Sequence, residues 1–568
     1  MQVLPLFLAT LAAFALAYKL YGGFLARRLG LDATRPTPAH EMEDGVDYCP
    51  TPRGYLLAQH FSAISAAGPI VGPILAGRAF GWGPALLWIV FGCIFIGALH
   101  DLTALFGSVR HAARTVPQIV REHMSRPAYG AFLAFVWLAL VYVIVAFADI
   151  TARAFVDRLP LENGDEVSGA GVASASALYL VIGVAMGCVM KFLKPRLWVA
   201  AALFVPLTGL AIWAGQAAPL HAPAWFGEDR DALARSWNYL ILAYCAVASV
   251  TPMWALLQPR GFLGGFFLYG VLAFAFVGIL VGGDRVEYPA FRGFSSPELG
   301  ALFPFLFITI ACGACSGFHG LVCSGTTSRQ LDREPDARAV GYGGMLLEGV
   351  VAVISLICVM LVAEGDPRAG KDPNVLYALG VGGFVARFGI DPGFAVAFAL
   401  LAFTTFVYDT LDVATRLGRY VLQELFGARS RLAGALATLA TLALPAAFVG
   451  VTRRTASGAE IPSWRLFWGI FGASNQLLAA LTLLGLTVWF ARAGRRRAVW
   501  LTALPAAFMM TMTVWSLGES VRRAWTSPRG FTAPDVTAAV LLALAAFLTF
   551  EAVRALRRGA AGSQAVRS

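Results

Sequence analysis

The chain has 568 residues, of which 58% are apolar and only 14% charged, and its formal net charge is +11. Soluble globular domains carry about 25% charged residues, so this chain cannot cover itself with a water-compatible surface and is expected to use lipid as its solvent. The positive balance does not point to nucleic acid, because the basic residues cluster beside apolar runs (Arg27-Arg28, Lys194-Pro195-Arg196, Arg495-Arg496-Arg497, Arg557-Arg558), as the positive-inside rule expects.

The first apolar run, Met1 to Tyr18, lacks a preceding basic region and reads as a retained anchor with its start outside. Spans of about twenty apolar residues then follow at about 56–79, 83–109, 128–150, 171–192, 197–215, 237–257, 262–282, 300–326, 340–363, 391–413, 432–450, 464–490, 498–517 and 535–556. With the anchor at 3–21 this predicts an all-α polytopic protein of about fifteen transmembrane helices. Most Lys and Arg residues fall on the side of the first loop, which places the N-terminus outside and the C-terminus in the cytoplasm, in the cell (inner or plasma) membrane. The eight cysteines are scattered, and the Cys312-x-x-Cys315 pair stands in an apolar helix without a second ligand pair, so neither a disulfide framework nor a metal site is expected. The polar run from Arg35 to Thr51 reads as a folded cytoplasmic loop.

The second span contains Gly68-Pro69-Ile-Val-Gly72-Pro73. Proline lacks an N–H and crowds the carbonyl four residues earlier, so Pro69 frees the carbonyl of Ser65, and Pro73 that of Pro69. Freed carbonyls cannot face lipid, and a broken helix of this kind marks a transport site. The competing reading is a small-residue packing helix with a kink. In the seventh span, Pro252 frees the carbonyl of Ala248 beside Trp254. Its offset of five spans reverses chain direction, as an inverted repeat requires, so spans two to six and seven to eleven are read as two repeats.

The ninth span places Ser316, His319 and Cys323 on one face, then the hydroxyls of Ser324, Thr326 and Thr327. This set suits a cation, or a carboxylate with a titratable imidazole. Hydroxyls bonded to their own helix are the alternative. Charges inside spans cost about 2.5–3.5 kcal/mol and default to functional suspects. Asp101, beside His100, and Glu348 are proton-relay candidates. Asp409 shares a face with Asp412, and Asp412–Arg416 reads as a structural ion pair. Asp149, near the end of its span and beside Arg153, is set aside, and Asn475-Gln476 is read as interhelical hydrogen bonding.

Several long stretches resemble the carbon-starvation protein CstA family: Pro36-Thr-Pro-Ala-His-Glu-Met-Glu-Asp-Gly-Val-Asp-Tyr48, His60-Phe, Gly68-Pro-Ile-Val-Gly-Pro73, Gly97-Ala-Leu-His-Asp101, Ala248-Ser-Val-Thr-Pro-Met-Trp254, Cys312 to Thr327, Tyr342 to Glu348, and Asn475-Gln-Leu-Leu-Ala-Ala480. The resemblance runs from about residue 35 to about residue 490 and implies a five-plus-five inverted-repeat (LeuT-like) core of the amino acid–polyamine–organocation superfamily. It also implies an importer of peptides or pyruvate coupled to protons, with Na+ as the other coupling ion considered and no other cofactor. His60, Gly68, Pro69, Gly72, Pro73, Asp101, His319 and Glu348 are carried over as motif positions, with His60 and Asp409 joining Asp101 and Glu348 as proton-coupling candidates.

The expected organisation is an anchor and loop (1–55), an inverted-repeat transport core (56–413) and peripheral C-terminal helices (414–568). The expected partners are membrane lipid and a small-molecule substrate, without nucleic acid. A membrane-embedded sensor would need a signalling domain, and an enzyme would need a convergent nucleophile and base; the sequence offers neither.

Overall fold

The computed structural model describes residues 2–565 apart from 45–47, 162–163, 165, 253, 429, 451–452, 455–459 and 527–529. Part of the polar run before Tyr48, and Met253 beside Pro252, lie outside the described residues.

The chain folds as a bundle of long apolar helices, the structure that satisfies every backbone N–H and C=O within its own segment. In chain order they are α1 (Val3–Leu29), α2 (Arg53–Ile64), α3 (Gly68–Phe80), α4 (Trp82–Arg110), α5 (Val116–His123), α6 (Arg126–Val156), α7 (Gly169–Phe192), α8 (Leu197–Ala217), α9 (Arg230–Val250) and α10 (Leu257–Gly282). Then come the short segments α11 (Leu302–Thr309), α12 (Ala311–Ala314) and α13 (Gly317–Gly325), followed by α14 (Glu334–Met360), α15 (Pro373–Ala386), α16 (Pro392–Phe426), α17 (Arg431–Phe448), α18 (Ser463–Arg492), α19 (Arg496–Thr526) and α20 (Ala533–Ala565). Among the described residues, 12 helices are long and apolar enough to cross a membrane, or 13 with the bent pair α2–α3 counted as one span. This is a multi-pass membrane protein. The expected spans at 237–257 and 300–326 correspond to α9, which opens on the polar turn Arg230-Asp231, and to the broken run α11–α13.

The loop before α2 is folded onto the connection between α13 and α14. Thr37 Oγ1 donates to the Leu331 carbonyl at 2.6 Å, Thr51 N donates to the Gln330 carbonyl at 3.0 Å, and His40 Nε2 meets Asp332 Oδ1 at 2.8 Å. Arg110, ending α4, joins the same face through Glu334 at 2.8 Å. This side is called the loop face below, and the opposite one the far face.

Three elements differ from expectation. First, α9 ends at Val250, so Pro252 lies in an exposed connection to α10 rather than within a span. The Ala248 carbonyl accepts from Arg416 Nη2 at 2.8 Å, and the Thr251 carbonyl does so at 2.7 Å, so Arg416 closes the end of α9. Second, the apolar helix α15 was not foreseen; it packs against α10 and α16, and its end is held near the end of α10, where Arg387 donates to Asp284. Third, α18 is not peripheral. It packs against α6, α13 and α19, and Asp149 of α6 accepts from Trp464 N at 2.9 Å, capping the start of α18.

Candidate functional site

Two spans break inside the bundle, and they break against each other. At the end of α2, Ser65 leaves helical geometry (φ −80°, ψ 83°), and α3 restarts at Gly68 with Pro69 in its first turn. Proline suits a first turn, where its missing N–H costs nothing. The two pieces meet at 49°. In the second broken run, Cys315 and Ser316 are extended (φ −163° and −116°), separating α12 from α13. No proline lies there. A Cβ on Gly317 would run into the backbone of α18 at Asn475 and Ala479, and the Asn475 side chain takes over the unmet helix start: its Oδ1 accepts from Phe318 N at 2.9 Å. Its Nδ2 donates to Ser316 Oγ at 3.1 Å and meets Cys312 Sγ at 3.1 Å.

Gly68 and Gly72 are where the two breaks cross. A Cβ on Gly68 would collide with the Cys312 side chain, and one on Gly72 with the Thr309 carbonyl oxygen. The packing reading and the broken-helix reading of this motif therefore hold together: glycine permits the approach and proline the interruption.

Beside this crossing lies a buried chain of titratable groups. Asp101, on α4, receives His100 Nδ1 on Oδ1 at 2.8 Å and His319 Nδ1 on Oδ2 at 2.9 Å. His319, on α13, turns its Nε2 to Glu348 Oε2 of α14 at 3.1 Å. That last approach has ion-pair distance without hydrogen-bond alignment, so both Glu348 oxygens, with His100 Nε2, His60 Nε2 and the Ser65 hydroxyl, are buried without a hydrogen-bond partner. Buried polar atoms are nearly always paired, and a concentration of unpaired ones in one place is what a site for a mobile proton or ligand requires. His60 joins through Nδ1 to Thr327 Oγ1 at 2.9 Å, and Gly344 of α14 lies flush against its ring.

A second buried charge cluster lies on the other side of α2. Arg260 of α10 bonds Asp409 Oδ1 through Nε at 2.7 Å and approaches Asp412 Oδ2 through Nη2 at 2.7 Å. Ser62 of α2 donates to Asp409 Oδ2 at 2.7 Å, and Tyr244 donates to Asp412 Oδ2 at 2.8 Å while also contacting Arg260. Gly264 makes room, since a Cβ there would lie 2.7 Å from Ser62 Oγ. A small cavity of about 30 Å³ lined by Gln59, His60, Thr326, Thr327 and Asp409 joins the two clusters. A buried site needs roughly 10–15 Å³ to hold one water.

The structure thus brings together Ser65, Gly68, Pro69, Gly72, Pro73, Ser316, His319, Asp101, Glu348, His60 and Thr327, with Asp409 across the small cavity. Ser324 and Thr326 donate back to carbonyls four residues earlier, Gly320 at 2.6 Å and Val322 at 3.0 Å, and of the two Thr326 also lines the small cavity. Pro252 and Trp254 stand apart: Pro252 is exposed, and Trp254 packs on Phe192 and Lys191 at the end of α7. Asp412 pairs with Arg260 rather than with Arg416. Arg260 was missed because it follows Pro259 at the edge of an apolar run and reads there as a flanking charge.

On the far face, a cleft of about 1130 Å³ is lined by Asp157, Arg158, Arg230, Lys371 and Asp372 together with apolar residues of α15 and α16. Burial raises the Asp157 carboxyl from its ordinary value, against the pull of Arg230, which donates to it at 2.7 Å.

The family described as carbon starvation protein CstA matches residues 2–371 and 367–516. The peptide transporter CstA of Campylobacter jejuni is 31% identical over 90% of this chain and 79% of its own length, and that of Helicobacter pylori (strain 26695) is 31% identical over 91% and 81%. The pyruvate/proton symporter BtsT of Escherichia coli K12 is 30% identical over 90% of this chain and 80% of its own. Among solved structures, the Eremococcus coleocola manganese transporter in complex with a bis-isothiourea compound shares the fold at a TM-score of 0.51 and 13% identity, covering 91% of this chain and 99% of that one.

Proposed function

This chain belongs to the carbon starvation protein CstA family, and from that premise we propose that it is a secondary transporter importing a peptide or pyruvate together with a proton. The observation that carries the reading is the buried run Asp101–His319–Glu348 beside the crossing of two interrupted spans, with 2.9 Å and 3.1 Å between successive groups. Two carboxylates and an imidazole at these distances can accept, pass on and release a proton. Peptides and pyruvate both carry a carboxylate, and α3 begins beside this run, where a helix start presents N–H groups and a positive dipole end to an anion. Movement of the two spans relative to the bundle would alternate exposure of this place between the two faces. The distribution of basic residues supports the loop face being cytoplasmic, with the N-terminus outside, the C-terminus inside, and the protein in the cell membrane. Two inverted repeats of five spans remain the reading of the core on the family likeness, since Pro252 follows the end of α9 rather than interrupting a span. Transport, rather than catalysis, is the activity proposed.

The test is uptake into proteoliposomes under an imposed pH gradient, with labelled pyruvate and a labelled dipeptide offered separately. The parent protein should accumulate one of them when the outside is acidic. Asp101→Asn and Glu348→Gln should abolish gradient-driven accumulation while keeping exchange of substrate across the vesicle at equal pH. Undiminished accumulation in both variants would remove the proton role from this run.

A further inference from the structure

We propose that His111, Glu122 and His123 form a binding site for a transition-metal cation of the zinc class on the loop face. The place is independent of the transport site. Helix α4 ends at Arg110, and the turn that follows takes Ala112 and Ala113 through left-handed conformations (φ 55° for both), which alanine adopts only at a cost. Helix α5 then starts behind Thr115, whose backbone N donates to Gln118 Oε1 at 3.2 Å. This turn brings the ring of His111 against that of His123, centroids 5.3 Å apart, while the edge of Trp489 fixes His111 from the other side at 4.8 Å.

The nitrogens are then set for a ligand. His111 Nδ1 lies 2.7 Å from the Gly107 carbonyl oxygen. A carbonyl only accepts, so Nδ1 holds the proton and the Nε2 lone pair points outward, the arrangement in which a backbone oxygen orients a metal-bound histidine. His123 Nε2 stands 3.0 Å from that lone pair, and Glu122 Oε2 lies 3.9 Å away. One ligand atom from each of the three residues falls within 4.8 Å of the others. Metal–ligand bonds of about 2.0–2.2 Å in a tetrahedron separate neighbouring ligands by roughly 3.3–3.6 Å, a spacing that the observed pair brackets. Arg114 contacts the other Glu122 oxygen and so holds the carboxylate in place.

Two imidazoles and one carboxylate leave a fourth position, which the exposed side of Glu122 gives to solvent. Arg114 and Arg492 both act on this neighbourhood. Local charge therefore opposes cations generally, and selection rests on nitrogen lone pairs, which favour zinc, nickel or copper over the oxygen-seeking magnesium and calcium. A bound ion would tie the end of α4, the helix carrying His100 and Asp101, to α5.

The experiment uses the full chain, purified in detergent without a polyhistidine tag, stripped with EDTA and equilibrated with buffered Zn2+. Metal content is read by elemental analysis, with Mg2+ as competitor. The parent should hold one more zinc per chain than His111→Ala/His123→Ala, keep it in excess Mg2+, and melt at a higher temperature with Zn2+ than without. Should the double variant aggregate, Glu122→Gln keeps the fold testable and should weaken zinc binding by about tenfold or more. Equal zinc content and an equal melting response in the parent and in these variants would overturn the site, as would displacement of the zinc by Mg2+.

Discussion

Arg260 illustrates how a single residue in the interior is held by what surrounds it. Its guanidinium is fully buried and lies between Asp409 and Asp412, with Tyr244 alongside. Removing one member of a buried ion group leaves the others uncompensated, at a cost of about 3–5 kcal/mol, whereas replacing the whole group is often tolerated. Arg260→Gln should therefore yield little monodisperse protein, and Arg260→Gln/Asp409→Asn/Asp412→Asn should recover it. Size-exclusion profiles and melting temperatures in detergent make the comparison, and a stable single variant would refute the charge balance described here. Such a cluster is only half visible in the sequence: Asp409 and Asp412 stand out because carboxylates are rare in apolar runs, but nothing local says which cation they meet. His319, Asp101 and Glu348 were legible for the same reason of rarity, and their convergence was not, because it joins α4, α13 and α14 across more than two hundred residues of chain.

At the level of elements, the contrast is between Pro69 and Pro252. Each is expected from the sequence to free an earlier carbonyl, yet Pro69 stands in the first turn of a helix that restarts after Ser65 has left helical geometry, and Pro252 merely follows the end of a helix, where Arg416 donates to the Ala248 carbonyl. Proline chemistry alone cannot tell these apart, since the outcome depends on whether the chain resumes its direction. The interruption at Cys315-Ser316 had no proline to announce it and arises from the approach of α18 at Gly317. Its companion interruption makes a testable demand. Gly72→Ala meets the backbone of Thr309, which cannot rotate away, whereas Gly68→Ala meets the side chain of Cys312. Overpacking typically costs about 1–3 kcal/mol. Both substitutions should lower the melting temperature, and adding Cys312→Gly should rescue Gly68→Ala but not Gly72→Ala. Gly54→Ala, with open space around it, is the control expected to change nothing. Equal rescue of both variants would show that the two glycines do not meet different partners.

For the molecule as a whole, hydropathy and charge were enough to place nearly every long helix, because the bilayer sets both length and composition. They could not rank helices by depth. α18 was expected at the edge and is instead among the most buried, and α15 is too short at 14 residues to register as a span. The family match stops at residue 516, yet α20 is bound in: Ala538, Leu541, Ala545 and Leu548 are buried, Thr537 bonds Tyr142, and Glu551 accepts from Ser125. A chain ending at Thr526 should thus melt earlier than the parent while still driving uptake with a pH gradient, since α20 packs on α6, α18 and α19, and Asp101, His319 and Glu348 lie on other helices. Loss of uptake in folded protein would assign the last helix a part in transport.

The glycine contacts at residues 68 and 72 leave the two interrupted spans no clearance. Sliding one along the other would press the Cys312 side chain against α3 at Gly68 and the Thr309 backbone against it at Gly72, so the pair is expected to travel as one lever. A lever of this kind would pivot at its ends, where α2 leaves the folded loop and α3 reaches the far face, and a crosslink placed at those ends should arrest uptake while one across the crossing leaves it running.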